Sequence, residues 1–336
     1  MATIQDVAAR AGVSIATVSH VLNNTRFVSE ETRAAVLEAI RELNYHPSAA
    51  ARSLSSRKTR TIGMVISDVS NVFFGQMIQG VLDVITPEDY NLILCTTSES
   101  LAKEEEYFRL LLGRAVDGLI AAATSERWGT LQTAEVRKIP VVFVDRTFEG
   151  MEGPFVGVDN SRGAYEAVSH LIGDGHRRIG VVAGLAYMST MRERVDGYRR
   201  ALQEHAIGYD ESLVVYSNLS IEGGRQAALQ LLGRADRPEA LFSNNNLLTL
   251  GVLLAIQELG LACPDHVALA CFDDHPWAGV VSSPLTVVRQ PNYEIGRQAA
   301  IMLLQLLSGQ PLERQRVIFQ PELLVRSSCK AGGHGD

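Results

Sequence analysis

Polar residues suited to ligand recognition recur in this chain directly behind short apolar runs. Asp68, Ser70 and Asn71 follow "TIGMVIS", Thr124 and Ser125 follow "VDGLIAAA", and Asp145 and Arg146 end "IPVVFVDR". Asn244, Asn245 and Asn246 close "ALFSNNN", and Asp273 and Asp274 close "VALACFDD". Phe73 and Phe74 come soon after the first run, and Trp277 after the last. Carboxylates and amides accept hydrogen bonds, a guanidinium donates several in a fixed fork, and a ring covers an apolar face. Gathered in one cleft, such a set suits a polyhydroxylated or other small polar ligand. Taken singly, each residue fits a surface loop or a helix cap; their recurrence at successive run ends favours a shared cleft. Catalysis has less behind it. GxSxG, P-loop and HExxH signatures are absent, and "GVVAG" lacks the GxGxxG spacing. His170 falls in a helical stretch and His176 in a turn before a strand, while His205 and His266 have no catalytic pattern around them. No cofactor and no metal are expected. Cys95, Cys263, Cys271 and Cys329 show no CxxC spacing, which predicts reduced, mostly buried thiols.

The elements that must position these residues follow from periodicity. The apolar runs are short and nearly continuous, as in strands buried on both faces. Helical segments separate them over 74–85, 101–114 and 127–138, and the rhythm restarts after Asp159 with helices over 190–205, 221–232 and 248–259. Alternating strands and helices predict doubly wound parallel sheets, here as two similar α/β units, with the site beyond the carboxyl ends of the strands. "MRERVDGY" puts Arg192 and Arg194 near the start of a helix that faces this cleft from the second unit. The 336 residues exceed one ordinary core. No apolar run is long enough to span a bilayer and no secretory leader is evident, so a cytoplasmic location and no membrane partner are expected.

The first sixty residues read differently. They carry eight Lys or Arg against five Asp or Glu, within a chain of net charge −7, so a basic segment precedes an acidic one. This favours contact between the segment and a polyanion. Ile4, Val7, Ala8 and Ala11 form one apolar stripe, with Thr3 as a cap and Gly12 as a stop. Ser14 can cap a second helix packed through Val18, Val21 and Leu22. Ser29 can cap a third, which carries Val36, Ile40 and Leu43 and stops at Pro47. Three short helices with a tight turn after the first form a helix-turn-helix, whose second helix enters the DNA major groove. Ile15, Ala16, Thr17, Ser19 and His20 lie off its packed face; a protein-binding three-helix module is the alternative. In "PSAAARSLSSRKTR", Leu54 stands among Arg52, Arg57, Lys58 and Arg60 without a partner stripe. That is either a flexible linker or a hinge that folds on DNA and wedges Leu54 into the minor groove.

The stretch "ATIQDVAARAGVSIATVSHVLNNTRFVSEETRAAVLEAIRELNYHPSAAARSL" resembles the DNA-binding head and hinge of the lactose repressor (LacI/GalR) family, especially its purine and galactose repressor branches. "NVFFGQMIQG", "VVFVDR", "RVDGYRRAL", "CFDD" and "LTVVRQP" extend the resemblance to about residue 328, through the family's effector core, which shares its fold with periplasmic sugar-binding proteins. The implied fold is an all-α helix-turn-helix head plus an α/β body of two doubly wound parallel-sheet subdomains. The resemblance implies a head over 1–46, a hinge helix and linker over 47–60, and a core over 61–328. Chain crossovers near 160, 289 and 320 would assign 61–159 and 290–319 to one subdomain, 160–289 and 320–328 to the other, and leave 329–336 as a flexible tail. It implies base contacts from Ile15, Ala16 and His20. Phosphate contacts fall to Thr3, Ser14, Thr17, Ser19, Asn23 and Tyr45, and hinge contacts to Ala51, Arg52 and Leu54. The implied effector positions are Phe73, Phe74, Ser125, Arg146, Thr190, Arg194, Asn246 and Asp273, to which the helix pattern adds Arg192. Many relatives hold aspartate where this chain has Asn246. The loss of one negative charge there, with arginines on both sides, favours a sugar acid over a neutral sugar, and a nucleobase or nucleoside is the alternative. The expected protein is a DNA-binding regulator of carbohydrate genes. It would bind a palindromic operator as a homodimer, since no C-terminal leucine heptad points to a tetramer. A solute-binding protein is the competing reading of the body.

Overall fold

The structure is a computed structural model that describes residues 2–23, 26–45, 58–124 and 139–330. Two compact units divide the chain at Arg60 and Thr61. In the first, α1 (Ile4–Ala11) opens on a reciprocal cap: the Thr3 hydroxyl accepts from Asp6 N at 3.3 Å, and the Asp6 carboxylate accepts from Thr3 N at 2.8 Å. Gly12, at φ +66°, ends it. The Ser14 hydroxyl then accepts from Thr17 N at 3.1 Å and starts α2 (Ile15–Asn23), and Ser29 starts α3 (Glu30–Glu42) in the same way. Val7, Ala8, Val18, Val21, Val36 and Ala39 make the shared core. The third helix stops at Glu42, short of the expected Pro47. Asn44 takes a left-handed φ of +46° and Tyr45 N folds back to Ile40 O at 2.9 Å, a closure that asparagine tolerates. The hinge residues Ala51, Arg52 and Leu54, together with Ser125 and the helix expected over 127–138, lie outside the described residues.

The second unit begins with β1 (Thr61–Ile66), α4 (Val72–Ile85), β2 (Asn91–Thr96), α5 (Leu101–Leu110), β3 (Gly118–Ala121), β4 (Val141–Val144) and β5 (Phe155–Val158). It continues with α6 (Asn160–Gly173), β6 (Ile179–Ala183), α7 (Ser189–Glu204), β7 (Val214–Tyr216), α8 (Ile221–Leu232), β8 (Ala240–Ser243), α9 (Asn246–Glu258), β9 (Ala268–Phe272) and β10 (Thr286–Arg289). Last come α10 (Asn292–Leu307), β11 (Arg316–Phe319) and β12 (Glu322–Leu324). These strands form two six-stranded sheets, ordered β11-β5-β4-β3-β1-β2 and β12-β10-β9-β8-β6-β7. The chain thus passes between sheets after β5, after β10 and after β11. Central strands such as β1, β3 and β9 are buried along their length because helices cover both faces.

One edge departs from the parallel expectation: β12 runs antiparallel to β10, pairing Val287 with Leu324. It follows β11 of the other sheet after only Gln320 and Pro321. The expected flexible tail also starts too early. Cys329 is fully buried, and its Sγ lies 3.4 Å from Leu269 O, so the chain is anchored through that residue. In the first lobe α4 and α10 touch backbone to backbone. A Cβ on Gly80 would lie 2.1 Å from Tyr293 O, and one on Gly296 would lie 2.0 Å from Met77 O. Both glycines are there because nothing larger fits.

Candidate functional site

Residues at the carboxyl ends of both sheets enclose a cavity of about 350 Å³. From the first sheet come Ser67, Asp68 and Asn71 behind β1, Ser98 and Glu99 behind β2, and Asp145 and Arg146 behind β4, with Phe73 and Phe74 on the first turn of α4. From the second come Thr190, Met191 and Arg194 on α7, Leu219 behind β7, Asn245 and Leu247 at the start of α9, Asp273 behind β9 and Gln290 behind β10. Four lining residues that are not glycine adopt left-handed backbone: Ser98 (φ 51°), Glu99 (58°), Asp145 (68°) and Asp273 (76°). Such angles are uncommon outside glycine, and here they occur where strands turn sharply into the site.

The polar groups divide into those already paired and those still available. Both terminal nitrogens of Arg146 donate to the Glu99 carboxylate, at 2.7 and 2.8 Å, while its Nε lies 3.3 Å from Asp145 Oδ2 without a hydrogen-bond partner. Burial opposes the charge on Arg146, but the Glu99 pair outweighs it and raises the pKa. Arg194 donates to Asn160 Oδ1 at 2.9 Å and to Asn244 O, and its guanidinium lies 3.6 Å over the Phe272 ring. Its Nη2 has no partner among the described residues. Asp273 accepts from the Gln290 amide, whose own Oε1 is buried and unpartnered. Burial pushes the Asp145 carboxyl up to about 6, against the charges of Arg146 and Arg194. Asp145, Gln290 and Arg194 all line the cavity, which thus presents an acceptor on Asp145 and a donor on Arg194. Phe73 and Phe74 meet edge to face at 4.9 Å on one wall, and Leu219, Met191 and Leu247 supply aliphatic surface.

Of the expected effector residues, Phe73, Phe74, Arg146, Thr190, Arg194 and Asp273 line this cavity. Asn246 and Arg192 do not. Asn246 is buried, and its amide exchanges hydrogen bonds with Asn71 of the facing lobe, at 2.8 and 3.4 Å. Arg192 is exposed and donates to the carbonyls of Tyr187 and Ala186. Thr124 is buried against Thr97, Asp274 pairs with Arg326, and Trp277 stacks on His275. Sequence reasoning missed Glu99, Ser98, Gln290 and Leu219. The first two follow "YNLILCTT" as the other site residues follow their strands, so the same rule applied to β2 points to them. The histidines serve local structure. His170 meets Asp174, His176 Nε2 lies 2.8 Å from Cys329 O, His205 Nδ1 lies 2.9 Å from Ala201 O, and His266 accepts from Ala262 N. The four thiols are free, three of them buried and Cys263 half-buried. Among the described residues no cluster of side chains could hold a metal ion, and no helix is long and apolar enough to cross a membrane.

In the first unit, Ser14 at the start of α2 and Ile15 and Ala16 on it are exposed, with Thr17, Ser19, His20 and Tyr45 half-buried. Thr3 is exposed but tied to Asp6, and the Asn23 side chain lies outside the described residues. Ile15, Ala16, Ser19 and His20 share the face opposite buried Val18 and Val21.

Residues 3–48 match the model of bacterial regulatory proteins of the lacI family, and residues 168–329 match a periplasmic binding protein-like domain. The HTH-type transcriptional repressor PurR of Photobacterium profundum is 37% identical over 334 residues, covering 98% of this chain and 99% of the relative. The chain belongs to the lacI family of bacterial regulatory proteins. Among solved structures, a transcriptional regulator CelR in complex with cellobiose is 32% identical with a TM-score of 0.73, covering 98% of this chain and all of that one. The Lac repressor dimer bound to operator and the anti-inducer ONPF is 25% identical with a TM-score of 0.86, covering 98% and 99%. This lacI-family regulator is a DNA-binding transcriptional repressor, not an enzyme.

Proposed function

We propose that this repressor binds a palindromic operator as a homodimer, reads it through α2 of each copy, and changes its operator affinity when a neutral sugar occupies the cleft. The observation that carries the ligand reading is the set of unfilled groups in the cavity. The carboxylate of Asp145 accepts and the guanidinium of Arg194 donates, in a cavity also lined by the ring of Phe73. A polyhydroxylated ring meets all of these, since each hydroxyl both donates and accepts. A volume of about 350 Å³ suits a monosaccharide. The relative solved with cellobiose supports the same class. A sugar acid fits less well, because the described lining residues hold four carboxylates (Asp68, Glu99, Asp145 and Asp273) against two guanidinium groups. Asn246, whose neutral amide favoured an anion on sequence grounds, is turned to Asn71 instead.

A nucleobase or nucleoside is the second reading, favoured by the 37% identity to the repressor PurR over 98% of this chain, head and body alike. Among the described residues the lining aromatic rings, Phe73 and Phe74, stand together on α4, which offers a flat base one wall to stack on.

Exposed Ile15 and Ala16 support apolar readout such as contact with a thymine methyl, with His20 as the polar reader. Selection from a randomised duplex pool, followed by titration of neutral sugars and nucleobases onto the selected complex, tests the proposal. The expected outcome is a two-fold symmetric site whose affinity responds to a neutral sugar. His20→Ala should lose preference at one base pair per half-site, by about 1–3 kcal/mol. A site without symmetry, or a response to nucleobases alone, overturns it.

A further inference from the structure

The cavity holds its two arginines in a way that bears on the charge of the ligand. Arg146 leaves β4 with a side chain 9% exposed, and its outward-facing nitrogens are both taken by one carboxylate. That carboxylate belongs to Glu99, which no effector position of the family resemblance includes. Its backbone explains how it reaches Arg146. Ser98 and Glu99 are both left-handed, and Ser98 N donates to Ser67 O at 2.8 Å, which turns the loop after β2 inward across the end of β1. The third nitrogen of Arg146 faces Asp145 at 3.3 Å. The guanidinium is therefore flanked by two carboxylates and carries a local excess of negative charge. Arg194 offers one nitrogen, but its field is shared with Asp145 and Asp273.

We infer that Glu99 sets the charge preference of the cleft: by occupying Arg146 in a two-pronged pair, it excludes anionic ligands and leaves a site selective for neutral ones. This rests on the reading of the cleft as the effector site. An incoming carboxylate has to displace Glu99 from a fork it fills at 2.7 and 2.8 Å, or lie beside Glu99 and Asp145 with only the one nitrogen of Arg194, among the described lining groups, to meet it. A neutral sugar needs neither, because its hydroxyls donate to Asp145 and accept from Arg194. Selectivity of this kind comes from a repulsive element as much as from an attractive one.

Glu99→Gln keeps the shape and removes the charge. The first measurement needs neither effector nor DNA: thermal unfolding of the full chain against millimolar sulfate as an anion probe. Glu99→Gln should gain a saturable sulfate-dependent rise in Tm that wild type and Glu99→Gln/Arg146→Gln lack, with near-ultraviolet dichroism confirming that each is folded. A saturable rise in wild type, or none in the folded single variant, overturns the inference. The second measurement is calorimetry with glucose against glucuronate and galactose against galacturonate. Wild type should prefer the neutral member wherever either binds, and Glu99→Gln should shift the ratio toward the acid by about tenfold or more. Tighter uronate binding by wild type overturns the inference even if the variant fails to fold. Failure of every sugar to alter operator binding would remove the proposed effector class and leave the sulfate result standing.

Discussion

Asp145 shows at the scale of one residue how the cleft departs from ordinary surface chemistry. Its carboxyl is pushed from 3.8 to about 6, first by burial and against two neighbouring arginines. As pH falls, the folded chain takes up this proton before the unfolded chain does. Stability from this group therefore rises as pH drops through 6, is complete below 3.8, and is lost as pH rises again. At neutral pH the buried charge costs on the order of 3 kcal/mol. Asp145→Asn should unfold at higher temperature than wild type at pH 7.5, and the gap should close toward pH 4. Superimposable Tm–pH curves would refute this. A neutral sugar that donates to Asp145 should also bind more weakly below pH 6, where the carboxyl is protonated and one acceptor is lost.

At the scale of elements, the helices and strands explain which site residues could be read in advance. Phe73, Arg146, Arg194 and Asp273 were legible because a doubly wound sheet delivers strand ends and helix starts to one crevice, whereas Thr190 came from the family resemblance alone. Arg192 was misread although the helical period separates it. Thr190, Arg194, Tyr198 and Ala201 form the buried stripe of α7, whereas Arg192, Asp196 and Arg199 form the opposite, solvated one. The role of Asn246 was hidden for another reason: its partner is 175 positions away on Asn71, and no local pattern reports such a pair. Strands β11 and β12 carry no fully buried position, and β11 alternates exposed with half-buried ones, so they give little apolar signal. The α4–α10 contact makes its own prediction. Gly296→Ala places a Cβ against Met77 O and should destabilise the body by about 1–3 kcal/mol through overpacking. Gly12→Ala has open space around its Cβ but keeps φ at +66°, so it should weaken the head by about 1 kcal/mol through strain alone. Chemical denaturation of each variant checks both values; a neutral Gly296→Ala would mean that the two helices can separate freely.

At the scale of the molecule, the three passages between sheets make each lobe discontinuous in sequence. Removing residues 316–336 deletes β11 from one sheet and β12 from the other. Limited proteolysis of that truncated chain should find both lobes cut rapidly; one lobe left intact would show that the shared ending matters to only one of them. The same wiring constrains the order of events during synthesis. A lobe made of one continuous segment can fold as soon as it clears the ribosome. Here the first sheet stays one strand short until residue 319 has been made, and the second until residue 324. The two sheets are thus completed within a few codons of each other. The three helices of the first unit, encoded ahead of both sheets, are made before either side of the cleft is complete.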